Sequence, residues 1–169
     1  MDYITLINYI KRNYSSKFLT DSQKEAYNKL KKFLLFDNVV NLYGKSGVGK
    51  TFLGWVFAKD NNFIYFKTEE EFKKYKTTRK MNVIIDNGEL NDGRNIRRLI
   101  SLKANKAIYI SKGETLDYSV KLTLNWRDVE HVLENISPII EKNKNIYIDN
   151  FFDSDLNLWK VFKVMTYGY

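Results

Sequence analysis

The residues from Gly44 to Thr51 carry the clearest chemical signal in the sequence. They match the pattern G-x-x-x-x-G-K-[ST] at every fixed position. Glycines let a backbone wrap around a phosphate with its N–H groups turned inward, and a helix that follows directs its positive end at the same anion. In such a loop Lys50 neutralises the β- and γ-phosphates, and the Thr51 hydroxyl holds Mg²⁺. The predicted phosphate-binding residues are Gly44, Lys45, Ser46, Gly47, Val48, Gly49, Lys50 and Thr51.

A phosphate loop of this kind also needs a carboxylate at the end of a neighbouring strand, to order Mg²⁺ and its water. Two apolar runs end in Asp-Asn, one at Asp86 and one at Asp149. We favour Asp86 as the metal-side residue, because its strand follows the loop in strand–helix–strand order. Asp149 fits a late strand end or a helix cap.

The elements that must position these residues alternate between strands and helices. Strands are predicted at 38–43, 63–67, 81–86, 107–111 and 120–124, with 145–149 as a candidate sixth. Helices are predicted at 3–10, 21–35, 51–58, 69–75, 92–104, 126–140 and 154–165. This alternation predicts an α/β, three-layer sandwich with a mainly parallel sheet of five or six strands and helices on both faces.

Length and composition limit the kinds of protein and site. The 169 residues predict one domain: a helical leader (1–36), a core (37–125) and a helical tail (126–169). The sequence has no Cys and a single His, which excludes disulfides, Cys-based zinc sites and His clusters. The lack of a long apolar run and of a signal-peptide pattern predicts a soluble, cytoplasmic protein.

The net charge of +8 is concentrated early in the chain. Residues 1–80 hold 16 Lys and Arg against 8 Asp and Glu, whereas residues 116–169 hold 6 against 8. A basic surface attracts polyanions, so nucleic acid is a plausible partner through basic residues 1–98, and a protein partner or homo-oligomer is a further expectation. Lys-rich helices that are merely solvated are the alternative.

Residues 37–124 resemble the P-loop NTPase superfamily. The segments Asn41–Gly44, Phe63–Phe66, Glu69–Phe72 and Val83–Asn87 are similar in order and character to the replication-initiator and helicase-loader branch of the AAA+ ATPases. That resemblance implies ATP and Mg²⁺ as cofactors. Only 45 residues follow Leu124, which predicts a truncated or absent lid.

The resemblance also assigns roles near the γ-phosphate. In many ATPases of this group a Glu directly follows the metal-side Asp and activates water. Here Asn87 takes that place, and an amide cannot accept the proton. Glu89 is the candidate substitute, and hydrolysis is expected to be slow or to depend on a partner. Ser111, with Lys112 in reserve, is the candidate γ-phosphate sensor; an exposed strand end is the alternative.

Two further resemblances are more local. Phe18–Ala26 is similar to the adenine-reading segment of superfamily 1 helicases, which makes Gln23 a candidate adenine ligand. Thr20 and Gln23 also have the spacing of a helix capping box. The chain as a whole looks like the small P-loop accessory proteins of phage-defence clusters such as BREX.

The function predicted from these features is ATP–Mg²⁺ binding by an ATPase or nucleotide switch that serves a DNA-acting assembly in replication, a mobile element or phage defence. Arg94, Arg97 and Arg98 are candidate arginine fingers or DNA contacts, or a solvated face. A non-hydrolysing scaffold is the first alternative. A small-molecule or nucleotide kinase is the second, although the stretch after Ser111 lacks the Arg residues of a kinase lid.

Overall fold

A five-stranded parallel sheet forms the centre of the computed structural model, which describes residues 1–140 and 156–167. The strands are β1 (Val39–Tyr43), β2 (Ile64–Phe66), β3 (Met81–Ile85), β4 (Ala104–Ser111) and β5 (Ser119–Lys121). Their order across the sheet is β2-β3-β4-β1-β5, and every neighbouring pair is parallel. The predicted α/β class and parallel sheet are therefore confirmed.

Helices precede, connect and follow the strands. Within the described residues they are α1 (Tyr3–Asn13), α2 (Asp21–Phe33), α3 (Lys50–Asn61), α4 (Glu69–Lys74), α5 (Gly93–Ser101), α6 (Trp126–Ile140) and α7 (Leu158–Tyr167), with a short 3₁₀ turn at Ser16–Phe18. The candidate sixth strand at 145–149 and the start of the helix predicted at 154–165 lie outside the described residues.

Several predicted boundaries are wrong. The strand predicted at 120–124 spans Ser119–Lys121, and the strand predicted to begin at residue 107 begins at Ala104. The helix predicted at 92–104 ends at Ser101, and Ala104 already belongs to β4. Ala104 is buried and pairs with Met81 of β3, whereas Leu102 is exposed. Pairing with the neighbouring strand therefore outweighs the helical spacing that had included Leu102.

Side chains of the central strands alternate between two cores, as expected of a sheet covered on both faces. On one face, Ile84, Ile108 and Ile110 pack with buried residues of α2 and α3. On the other, Val83, Ile85, Ala107 and Tyr109 pack with residues of α4 and α5. The result is the predicted three-layer sandwich, with the carboxyl ends of the strands at one edge.

A third core lies outside the sheet and joins the two ends of the described chain. Leu6 of α1 packs with Val129 and Leu133 of α6 and with Val161 and Met165 of α7. The N-terminal leader and the C-terminal tail thus share one hydrophobic cluster. In the described part of the chain, no helix combines the length and apolar character needed to cross a membrane.

Candidate nucleotide site

The predicted phosphate loop lies between β1 and the first turn of α3, which begins at Lys50. The Lys50 Nζ donates to the carbonyl oxygens of Gly44 at 2.6 Å and Lys45 at 2.8 Å, so the ammonium lies across the loop. Burial lowers the pKa of Lys50, with a smaller contribution from the charge of Lys112, while the charge of Asp86 raises it. A phosphate anion would relieve the cost of burying this charge.

Thr51 and Asp86, the two residues predicted to hold the metal, are in direct contact, and their role at a metal stays a prediction. The Thr51 hydroxyl donates to Asp86 Oδ2 at 2.7 Å, and the Asn87 N–H donates to Asp86 Oδ1 at 2.7 Å. The Tyr65 hydroxyl also donates to Asp86 Oδ2. Burial first, and then the charge and hydrogen bond of Asp86, raise the pKa of Tyr65, so its hydroxyl keeps its proton.

These oxygen groups suit Mg²⁺, which takes hydroxyl, carboxylate and phosphate ligands. The described residues contain no group of three or more His, Cys, Asp or Glu that could hold a metal by itself. Mg²⁺ is usually bound by one or two protein groups together with substrate phosphates. The pair of Thr51 and Asp86 beside the phosphate loop fits that mode of binding.

The Glu69 carboxylate accepts hydrogen bonds from the backbone of the loop that follows Asp86. The N–H groups of Glu89 and Leu90 donate to Glu69 Oε1 at 2.7 and 3.1 Å, and the Tyr109 hydroxyl donates to the same oxygen. Burial alone would raise the pKa of Glu69, but these hydrogen bonds and one from Lys73 outweigh it and lower the pKa. The Glu89 side chain is exposed.

Asn87 itself has a positive φ of 50°, and its side chain donates to the Lys67 carbonyl at 2.9 Å. Its amide thus joins the ends of β2 and β3. Related ATPases often have a catalytic Glu at the position of Asn87. Here the Asn87 side chain instead makes a hydrogen bond that links two strand ends.

Ser111 lies at the end of β4 and is buried. Its hydroxyl accepts from Asn41 Nδ2 at 2.8 Å and donates to the Gly113 carbonyl at 2.7 Å. Asn41, in the middle of β1, also donates to the Tyr109 carbonyl and accepts from the Thr115 N–H at 3.1 Å. Ser111 is therefore part of a polar network between the two central strands, and its role as a γ-phosphate sensor stays a prediction.

Gln23 of α2 forms a hydrogen bond with the backbone of the phosphate loop. The capping box is formed, with the Thr20 N–H donating to Gln23 Oε1 at 3.0 Å. Gln23 Nε2 donates to the Gly49 carbonyl at 3.2 Å. A Cβ at Gly49, where φ is 90°, would lie 2.5 Å from Gln23 Nε2. The glycine thus allows α2 to approach the loop, and the adenine role of Gln23 stays a prediction.

The start of α7 also forms hydrogen bonds with the backbone of the phosphate loop. The Leu158 N–H donates to the Gly47 carbonyl at 2.9 Å, and Asn157 Nδ2 donates to the Ser46 carbonyl at 3.3 Å. Gly47 has a φ of 81°, and a Cβ there would collide with the Asn157 side chain. The C-terminal tail therefore reaches the predicted phosphate site.

The three arginines of α5 lie in different environments. Arg97 donates to both oxygens of Asp37 at 2.8 and 2.7 Å, a bidentate pair that ties α5 to the start of β1. Arg94 and Arg98 are exposed. A contact with a phosphate is therefore open to Arg94 and Arg98, whereas Arg97 is engaged within the fold.

Sequence reasoning missed four residues at this site: Asn41, Tyr65, Glu69 and Asn157. A signal existed for two of them. Asn41 is a polar residue inside an apolar strand, and Glu69 begins a helix at the carboxyl end of a strand. The contacts of Tyr65 and Asn157 depend on packing between distant segments, which no local pattern indicates.

Several solved structures have a similar fold, and three of them are replication initiation proteins or factors. The match to domain III of the replication initiation protein DnaA from Thermotoga maritima has a TM-score of 0.62 and 17% identity, and covers 90% of this chain and 85% of that one. AMPPCP-bound DnaA from Aquifex aeolicus matches with a TM-score of 0.56 and 13% identity over 85% of this chain and 60% of that one. A DNA replication initiation factor matches with a TM-score of 0.58 and 14% identity over 85% and 59%.

This chain thus spans about three fifths of the length of the last two proteins. At these identities the likeness shows the fold alone, and the finer resemblance to the initiator and helicase-loader branch stays a prediction. No protein-family model and no curated protein matches the sequence. None of the three structures concerns phage defence, so that context stays a prediction.

Proposed function

We propose that this protein binds ATP together with Mg²⁺ at residues 44–51 and acts as a nucleotide switch. The observation that carries the proposal is the 2.7 Å contact of the Thr51 hydroxyl with Asp86, directly beside the loop crossed by Lys50. Hydroxyl, carboxylate and ammonium thus converge at the carboxyl edge of a parallel sheet, where ligands of open α/β folds bind. One neighbour in fold is described as AMPPCP-bound.

Each residue has a definite task in this proposal. The loop N–H groups and Lys50 bind the phosphates and offset their charge. Thr51 and Asp86 hold Mg²⁺, which supplies charge neutralisation between the β- and γ-phosphates. Bound nucleotide engages the loop and Asp86, which changes the surface offered to a partner.

Slow or partner-dependent hydrolysis follows from the residues after Asp86. Asn87 donates to a backbone carbonyl and cannot take a proton from water. Glu89 can accept one, and its backbone is fixed by Glu69 while its side chain is exposed. We propose that Glu89 is the base for turnover, with a partner or a second copy closing the site around it.

We further propose that the partner assembly acts on DNA. An open cavity of about 390 Å³ is lined by Lys73, Asn95, Arg98, Leu99, Leu102 and Lys103. Of its cations, Arg98 is exposed, Lys73 pairs with Glu69, and Lys103 donates to backbone carbonyls of α4 and the residue after it, in a chain with a net charge of +8. Such a surface contacts phosphates without reading bases. Two neighbours in fold are described as replication initiation proteins, which is consistent with this partner.

The first experiment measures ATP binding by calorimetry with and without Mg²⁺, and hydrolysis in the same samples. Lys50→Ala is expected to weaken binding about 100-fold, since a buried charge on the phosphates is lost. Lys29→Ala, which removes an exposed lysine of α2, is the control and should bind normally. Tight binding retained by Lys50→Ala would refute the phosphate site.

A second experiment tests the DNA partner. Hydrolysis and DNA binding are measured with duplex DNA at several salt concentrations, since phosphate contacts weaken as salt rises. Arg98→Glu should weaken DNA binding about 10-fold, while the exposed Arg127→Glu on α6 should have a smaller effect. Equal effects of the two variants would contradict a DNA surface at this cavity. Binding of ATP without turnover under every condition would support the scaffold alternative.

A further inference from the structure

Tyr65 makes a contact that the phosphate-loop pattern does not require. It lies in the middle of β2, the edge strand beside β3, and its hydroxyl donates to Asp86 Oδ2. The same oxygen accepts the Thr51 hydroxyl at 2.7 Å. Two side chains from different elements, one on α3 and one on β2, thus converge on one carboxylate oxygen.

The Asp86 side chain depends on such donors. Asp86 is 3% exposed, so water cannot satisfy its carboxylate. Oδ1 is fixed by the Asn87 N–H, which is part of the backbone and cannot move independently. The nearby Lys50 Nζ is directed to the carbonyls of Gly44 and Lys45. The orientation of Oδ2 is therefore set by the Thr51 and Tyr65 hydroxyls.

These two hydroxyls have different tasks. In the proposed function Thr51 gives its oxygen to Mg²⁺, and that hydroxyl must then turn its lone pair toward the cation. Tyr65 is not a metal ligand in this proposal, and its hydroxyl keeps Asp86 Oδ2 as its acceptor. One donor is thus available to hold the carboxylate while the other serves the metal.

We propose that Tyr65 is a positioning residue for Asp86, which keeps Oδ2 directed at Thr51 and so prepares the Mg²⁺ position. This inference rests on the proposed function, because it deepens the assignment of the metal side. It predicts that Tyr65 contributes to the affinity for Mg²⁺ and contributes little to the affinity for the nucleotide alone.

A role in packing is the competing explanation. The Tyr65 ring lies edge-on to Trp55 at 6.2 Å between centroids, and its Cε2 would lie 3.3 Å from a Cβ at Gly54. Tyr65→Phe retains this ring and removes only the hydroxyl, so it separates the two explanations. Tyr27→Phe is the matched control: the Tyr27 hydroxyl accepts from Asn61 at 2.9 Å and its ring packs on Phe57, away from Asp86.

The experiment uses the full chain saturated with a non-hydrolysable ATP analogue. Mn²⁺, as a spectroscopic substitute for Mg²⁺, is titrated and followed by electron paramagnetic resonance, and binding of the analogue in EDTA is measured separately. Tyr65→Phe is expected to weaken Mn²⁺ binding about 10-fold, in line with the loss of one hydrogen bond to a charged group. Binding of the analogue in EDTA should stay within about 2-fold, as should both affinities of Tyr27→Phe.

A double-mutant cycle with Asp86→Asn completes the test. If Tyr65 acts through Asp86, adding Tyr65→Phe to Asp86→Asn has little further effect on Mn²⁺ affinity, because coupled residues are not additive. Unchanged Mn²⁺ affinity in Tyr65→Phe, or independent effects in the cycle, would overturn the positioning role alone. Failure of the wild-type protein to bind the analogue would overturn the proposed function and this inference with it.

Discussion

Two buried carboxylates follow neighbouring strands at the carboxyl edge of the sheet, and they accept hydrogen bonds from different kinds of donor. Asp86 follows β3 and is 3% exposed, while Glu69 begins α4 after β2 and is 6% exposed. Asp86 accepts from the hydroxyls of Thr51 and Tyr65 and from one N–H. Glu69 accepts from two N–H groups, from Tyr109 and from Lys73.

This difference shows that burial of a carboxylate does not by itself mark a functional site; the nature of its donors does. Two of the donors to Glu69 are the backbone N–H groups of Glu89 and Leu90, and these bonds fix the loop at both residues. At Asp86 Oδ2 the Thr51 hydroxyl can turn its lone pair toward a metal, while the Tyr65 hydroxyl keeps its bond to the carboxylate. We therefore expect Glu69 to act mainly on stability and Asp86 mainly on ligand binding.

The largest expected effect is on folding, in Glu69→Ala. Removing the carboxylate leaves the Glu89 N–H and the buried Tyr109 hydroxyl without their acceptor, while the Leu90 N–H retains the Tyr109 oxygen at 2.9 Å. The free energy of unfolding, measured by urea denaturation, should fall by about 2–4 kcal/mol. Glu70→Ala, which removes an exposed ion pair with Lys74, should change it by less than about 1 kcal/mol. Similar losses in the two variants would contradict the structural role of Glu69.

The next effect is on the ligand, in Asp86→Asn. The amide still accepts hydrogen bonds but carries no charge for Mg²⁺. We expect ATP affinity in Mg²⁺ to fall about 10- to 100-fold, equivalent to about 1.4–2.7 kcal/mol, while binding in EDTA changes little. Calorimetry provides both values, and urea denaturation should show a small loss of stability.

Asp149→Asn is the comparison for that variant, since Asp149 ends the other Asp-Asn run of the sequence and lies outside the described residues. It should leave ATP affinity in Mg²⁺ unchanged. A larger loss in Asp149→Asn than in Asp86→Asn would show that the metal side is formed by the other carboxylate.

A third expected effect concerns the pH dependence of stability, to which Glu69 contributes through its lowered pKa. Its pKa is lowered in the folded protein relative to the ordinary value of about 4.3. The stability that Glu69 contributes is therefore complete above about pH 4.3 and is lost as the pH falls through the lower pKa of the folded state. Glu69→Gln should unfold with a weaker dependence on pH across this acidic window, measured by urea denaturation at a series of pH values. An unchanged dependence would show that other carboxylates, such as the Arg97-paired Asp37, control acid unfolding.

Local sequence patterns predicted those features of the fold and the site that depend on residues close together in the chain. The spacing of the glycines, Lys50 and Thr51 indicated a turn between a strand and a helix, and the apolar run ending at Asp86 indicated the strand that is β3 in the structure. The α/β sandwich followed from the alternation of elements. The partners of Glu69 were not predictable in this way, because Glu89 and Tyr109 lie 20 and 40 residues further along the chain. The same is true of Tyr65 and Asp86, whose contact depends on how β2 and β3 pair in the sheet.

The smallest expected effect is that of Asn157, which contacts the phosphate loop. Like Asp86 it borders the proposed ligand site, and like Glu69 it accepts a backbone N–H. Its Nδ2 donates to the Ser46 carbonyl at 3.3 Å, on the proposed ligand loop, while its Oδ1 accepts from the Trp159 N–H at 2.9 Å and fixes the start of α7. Asn157→Ala should therefore lower both quantities modestly: stability by about 1 kcal/mol and ATP affinity about 2- to 5-fold.

Asn135→Ala is the matched control, because Asn135 donates to the His131 carbonyl within α6 at 2.8 Å and does not contact the loop. It should lower stability by a similar or smaller amount and leave ATP affinity unchanged. Loss of affinity in Asn157→Ala alone would show that α7 acts on the phosphate loop through Ser46 and Gly47. Equal ATP affinities in the two variants would instead assign Asn157 to the same structural class as Glu69, since its bond to the loop would then have no influence on the ligand.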